Sequence, residues 1–165
     1  MQLLKSQIGA QPESMLNSSI ESLEYEIANA INNLTITDVP RVAFIDGHGE
    51  LSKLETASLA DALSEFYVVD RLEINGNLNS LTERVMKDST KAYSVKTKYD
   101  AIIIAKPSQQ FPEKDKFIID QYIMYGGRVV WLVDPVFASM DSLQTANITM
   151  AIPQNLNLED QLFTY

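Results

Sequence analysis

Val42-Ala43-Phe44-Ile45-Asp46-Gly47-His48-Gly49-Glu50 is the stretch that decides the fold. Four apolar residues run without a break, and an acidic residue closes the run. A Gly-His-Gly turn follows, and then the spacing of an amphipathic helix. An unbroken apolar run bounded by turn residues suits a parallel strand buried on both faces. A loop at its end lies where α/β folds place their ligands, above the carboxyl ends of the strands. This loop carries the single histidine of the chain.

Working outward, the same grammar repeats. The spacing predicts strands over 41–46, 67–74, 99–105 and 128–133. A helix over Leu51 to Phe66 would bury Leu54, Leu59, Ala62, Leu63 and Phe66. A second, opened by Pro112-Glu113-Lys114-Asp115, would turn Phe117, Ile118, Tyr122 and Ile123 inward. Gly126-Gly127 reads as its C-terminal stop. Leu78, Leu81, Val85 and Met86 suggest a short helix after the Asn75-Gly76-Asn77 turn. Lys87 to Lys98 reads as a polar, basic surface loop, and 156–162 as one more short helix. Strands alternating with helices make βαβ units and a parallel sheet. The expected fold is α/β: three-layer, doubly wound, with a mainly parallel sheet.

Ahead of the first strand, 12–34 reads as one long helix. Leu16, Ile20, Leu23, Ile27, Ala30, Ile31 and Leu34 recur at spacings of three and four and put an apolar stripe on one face. Residues 1–35 are read as a helical connector and 36–165 as the α/β domain. The stripe either packs on its own sheet or docks elsewhere. We expect the isolated chain to self-associate as a homodimer through 12–34 or through an edge strand.

Composition narrows the function. A formal net charge of -9 over 165 residues argues against a nucleic-acid surface, which needs a basic footprint. It also argues against docking on anionic lipid headgroups. The absence of cysteine removes disulfides, thiolate zinc sites and a cysteine nucleophile. No stretch reaches the roughly 18 apolar residues of a membrane span, and the start lacks the pattern of a signal peptide. The expectation is a chain soluble as given.

Several residues could carry chemistry. Gly47-His48-Gly49-Glu50-Leu51-Ser52 resembles the dinucleotide fingerprint, with Ser52 where the third glycine belongs and Asp70 or Glu73 placed to meet a ribose. Asp46 would repel a pyrophosphate. His48 and Glu50 read as metal ligands, as an acid–base pair, or as a structural turn; no second histidine exists to complete a common zinc set. Asp134, before Pro135, either ends a strand or joins Asp46 at a cation site. Trp131 reads as core. Ser108 lies in Pro-Ser-Gln-Gln rather than in a nucleophile elbow. No nucleophile–base pair is recognisable, so no hydrolase or amidase activity is expected; the expectation is a non-catalytic binding domain without metal or cofactor, and the alternative is a nucleotide- or metal-binding α/β enzyme using the Gly47-His48-Gly49-Glu50 loop. The candidate ligand- or partner-binding rim is Asp46, Gly47, His48, Gly49, Glu50, Lys106, Ser108 and Asp134.

Asn17 through Leu34, the Gly47-His48-Gly49-Glu50 turn, and Tyr99-Asp100-Ala101-Ile102-Ile103-Ile104 also carry a family likeness. So do Asp120-Gln121-Tyr122-Ile123 with Gly126-Gly127-Arg128, and Val133-Asp134-Pro135. In this order they resemble the auxiliary, substrate-binding-like component of gliding-motility ABC transporters, the GldG-type proteins of Bacteroidetes. The resemblance implies a membrane-anchored parent whose extracytoplasmic (periplasmic) α/β region is related to glutamine-amidotransferase-like and flavodoxin-like folds. It implies partners too: an ABC permease and an ATPase of the same system. The amidotransferase-like fold normally carries a cysteine nucleophile. This chain has none, so that activity does not carry over.

Overall fold

The computed structural model describes residues 12–35, 38–86, 93–137 and 151–165. The chain divides into two compact units, Met1–Val39 and Pro40–Tyr165. In the first, helix α1 spans Pro12–Thr35, with Glu13 in its first turn, where a negative charge suits the helix dipole.

The second unit is built on four strands: β1 (Arg41–Asp46), β2 (Val68–Glu73), β5 (Ala101–Ala105) and β6 (Arg128–Leu132). They form one sheet in the order β2-β1-β5-β6, parallel at every pairing. The four predicted strands are thus present and parallel.

Alternation along the two central strands divides the core between two faces. Ala43, Ile45, Ile102 and Ile104 point to one side. There they meet Ile118, Ile119 and Tyr122 of helix α3 (Glu113–Met124), with Phe111, Leu156 and Leu158. Val42, Phe44, Ile103 and Ala105 point to the other side, where Leu51, Ala60 and Leu63 cover them. The last two belong to helix α2 (Ala57–Leu63). The register agrees: Ala43 pairs with Ile102 on the first face and Phe44 with Ile103 on the second. Tyr122 locks α3 down. Its hydroxyl donates to the Tyr99 carbonyl at 3.0 Å, and burial pushes the phenol up to about 12. A Cβ on Gly127 would lie 2.2 Å from that ring, so the sheet can follow α3 closely only because position 127 has no side chain.

Several local expectations are corrected. The helix expected over 51–66 is reduced to Ala57–Leu63. The Leu51 N–H donates to the Ala105 carbonyl at 2.9 Å, and both the N–H and the hydroxyl of Ser52 donate to Glu55. The segment is therefore tied to β5 and closed as a turn, and Leu54 ends 86% exposed. Leu59 is exposed as well.

The short helix suggested by Leu78 to Met86 is absent. Strand β3 (Thr82–Met86) pairs antiparallel with β4 (Tyr93–Thr97) in a separate ribbon. Part of the expected basic loop is thus strand, and 87–92 lies outside the described residues. β-Branched Thr82, Val85, Val95 and Thr97 fit a pleated ladder better than a helix. In α3, Phe117 is exposed, and Ile119 takes the inward place expected of it.

A two-residue ladder between β7 (Val136–Phe137) and β8 (Ile152–Pro153) follows the sheet. Helix α4 (Glu159–Thr164) begins later than the sequence suggested. The reason is that Leu156 and Leu158 serve as core plugs rather than as helix positions.

Candidate functional site

All four sheet strands are parallel, so their carboxyl ends share one edge. The strand order reverses between β1 and β5, and the loops leaving those two strands meet there. The Gly47–Glu50 loop and the Lys106–Phe111 loop are laced together. Ser108 and Gln109 both donate backbone N–H groups to the His48 carbonyl, at 3.0 and 2.8 Å. The Ser108 hydroxyl donates to the Gly49 carbonyl at 2.9 Å. Gly49 sits at φ +72°, and a Cβ there would lie 2.1 Å from Ser108 Oγ, so backbone conformation and close approach both require glycine.

His48 lies below this seam, nearly sealed from solvent. Its ring stacks on Phe111, centroids 3.9 Å apart and planes 15° apart. Nδ1 is 3.1 Å from a Glu50 carboxylate oxygen, and Nε2 is 2.9 Å from an Asp115 carboxylate oxygen. A carboxylate only accepts, so satisfying both contacts requires both ring nitrogens to carry protons.

The remaining carboxylate oxygens are also served. Glu50 accepts the His48 backbone N–H at 2.7 Å, and Asp115 accepts the Gly76 N–H at 2.7 Å. Burial is the largest single influence on the His48 pKa and lowers it. The hydrogen bonds and charges of Glu50 and Asp115 together outweigh it, so the pKa lies above the ordinary 6.5. The result is an imidazolium clamped between two carboxylates, joining the β1 loop, the start of α3 and the turn after β2.

This arrangement rules on the sequence candidates. With each ring nitrogen held by a carboxylate, His48 has none free for a metal. It also has no nucleophile to activate, since the Ser108 hydroxyl is given to a carbonyl. Asp46 and Asp134 are not brought together as a cation site. Asp46 is gripped by Arg71, through Nε at 2.9 Å and Nη2 at 2.6 Å. Asp134 pairs with Lys106 at 3.1 Å on the exposed rim.

The dinucleotide geometry is not formed either. Helix α2 begins only at Ala57, so no helix amino terminus follows the glycine turn directly. Asp70 pairs with Arg41 at 2.6 Å. Trp131 is half-buried and packs edge-on to Phe111, at the margin of the core.

Two hollows flank the seam. Gly49, Glu50, Lys106, Ser108 and Asp134 line a cleft of about 460 Å³, with Leu51, Glu55 and Gln154 among its other walls. Five of the eight rim candidates therefore share one cleft. Gly47 and His48 line a smaller hollow of about 280 Å³ with Glu73 and Asp115. Lys106 takes φ +52°, an uncommon conformation for a side-chain-bearing residue, at the point where β5 gives way to the cleft.

Sequence reasoning missed two residues that organise this region. Asp115 read only as a helix-opening acid. Arg71 read as one polar position in a strand, yet it holds Asp46, the Thr56 hydroxyl at 2.7 Å and the Leu51 carbonyl at 2.7 Å.

The family model described as "ABC-type uncharacterized transport system" matches residues 39–165. The chain belongs to this family. It is an auxiliary component domain of an ABC transport system, and the match begins one residue before the second compact unit. No curated protein and no solved structure shows significant similarity to it. Among the described residues no helix is long and apolar enough to cross a membrane.

Proposed function

We propose that the Pro40–Tyr165 unit is a non-catalytic binding and interaction domain of its transport complex. It works with the permease and ATPase of the same system, at the extracytoplasmic face of the membrane, in gliding motility or secretion. The observation that carries the reading is the state of His48. The one side chain suited to acid–base work near neutral pH is consumed by two buried carboxylates and faces no nucleophile. The doubly wound reading draws support from the strand order and from α2 and α3 lying on opposite faces. The cleft of Gly49, Lys106, Ser108 and Asp134 offers an exposed, mixed-charge rim for a partner. The extracytoplasmic setting and the named partners rest on the resemblance to GldG-type components.

Co-expression of the tagged chain with the permease and ATPase of its system tests this. We expect co-purification from detergent extracts, weakened about tenfold when Asp134→Lys reverses one rim charge. Failure of the wild-type chain to co-purify would overturn the partner assignment. Turnover of glutamine, an ester or a nucleotide that His48→Ala abolishes would overturn the non-catalytic one.

A further inference from the structure

Helix α1 carries a finer pattern than an apolar stripe. Ile20, Leu23, Ile27, Ala30 and Leu34 are separated by three, four, three and four residues. That spacing fits the a and d positions of a coiled-coil heptad repeat. In heptad terms Ile20, Ile27 and Leu34 fall at position a, and Leu23 and Ala30 at position d. Leu16 continues the register in the sequence. Within a parallel coiled coil, isoleucine at a with leucine at d favours two strands over three or four. These side chains are open in the structure: Ile20 is 68% exposed and Leu34 87%, with Leu23, Ile27 and Ile31 also exposed.

We infer that α1 pairs with the α1 of a second copy of this chain, parallel and in register. Charge selects the orientation. In a parallel pair, flanking contacts run from position g to position e five residues on, so Glu26 of one copy lies beside Ile31 of the other. Glutamate's aliphatic stem can cover that isoleucine. In an antiparallel pair of full overlap, position 20 meets 30 and 23 meets 27. The flanks would then set Glu24 against Glu24 and Glu26 against Glu26, two like-charge contacts next to the seam. Nothing on the apolar face distinguishes the two orientations as strongly. The inference concerns α1 alone and stands apart from the function proposed for the other unit.

The test uses the whole 165-residue chain. Sedimentation equilibrium should give about twice the monomer mass of 18.5 kDa. The Ile20→Asp/Ile27→Asp variant should run as a monomer, with Trp131 emission unchanged as a check that the other unit stays folded. Orientation follows from oxidative cross-linking, which the cysteine-free sequence makes clean. In the parallel pair, Ala30→Cys meets itself and forms a disulfide dimer. In the antiparallel pair, the two copies of position 30 are ten residues apart along the axis. That is about 15 Å, beyond the roughly 7 Å limit for a disulfide. Cross-links would then appear only on mixing Ala30→Cys with Ile20→Cys. A monomer at every concentration, a dimer that survives the double Asp variant, or cross-links from the mixture alone would each overturn the proposal.

Discussion

Replacing His48 with alanine leaves two carboxylates without the cation between them. The Glu50 and Asp115 side chains are only 1% and 6% exposed, so water cannot substitute for the imidazolium. Breaking a buried ion pair by removing one partner costs about 3–5 kcal/mol, because an uncompensated charge stays behind. Loss of the ring stack on Phe111 acts in the same direction, by roughly 0.5–1.5 kcal/mol. A domain has about 5–15 kcal/mol to lose. We therefore expect His48→Ala to lower stability by about 3–5 kcal/mol, and Tm by about 10–20 °C.

Urea titration followed by far-UV circular dichroism and by Trp131 emission measures this. Trp131 is the only tryptophan and touches Phe111, the ring beneath His48, so it reports the same cluster. The diagnostic control is His48→Ala with Glu50→Gln and Asp115→Asn, which removes the stranded charges together with the histidine. It should recover at least about 1 kcal/mol, since the penalty lies in the unpaired carboxylates. A loss below about 1 kcal/mol for His48→Ala, or no recovery in the triple variant, would refute the clamp.

Two further outcomes follow from the same geometry. The His48 pKa is raised in the folded protein, so its contribution to stability is complete below the unfolded value of about 6.5 and declines as pH rises through the higher folded value. Urea midpoints should fall as pH rises above about 6.5 in the wild type and stay flat in the triple variant; a wild-type midpoint that rises there would contradict this. Arg71→Met keeps an unbranched apolar side chain but removes the guanidinium, which lies over the Phe44 ring and donates to Asp46, Thr56 and the Leu51 carbonyl. We expect a loss of about 2–4 kcal/mol with early proteolysis between β1 and α2, and a loss under about 0.5 kcal/mol would show that Arg71 is not holding that connection.

The central strands were legible because burial on both faces leaves a mark on every residue. Val42 to Ile45 and Ala101 to Ala105 had to be apolar throughout. The edges and connections were not so constrained. Leu54 sits at helical spacing from its neighbours yet faces water, because backbone bonds from Leu51 and Ser52 fix that segment before the helix begins. The β3–β4 ribbon was misread because it has no buried face to impose alternation. Leu78, Leu81 and Val85, which lead into it, happen to fall three and four apart, and cross-strand pairing decides instead.

The site was half legible for a related reason. The loop after β1 announced itself through its glycines and its histidine, and the switch of strand order brought Lys106, Ser108 and Gly49 to it as the topology requires. Asp115 and Arg71 gave no such signal, because what they do depends on partners 67 and 25 residues away. An acid in the first turn of a helix is ordinary for reasons of the helix dipole alone, and that ordinary explanation hides the clamp. A ligand site must keep polar groups unspent. Around His48 all four carboxylate oxygens and both ring nitrogens are spent within the protein, whereas the Lys106–Asp134 pair a short way along the rim is exposed. Selection for binding would therefore act on the exposed rim, and the sealed histidine would hold that rim in place. Side-chain exposure, which sequence does not record, is what separates the sealed His48 from the exposed Lys106–Asp134 pair.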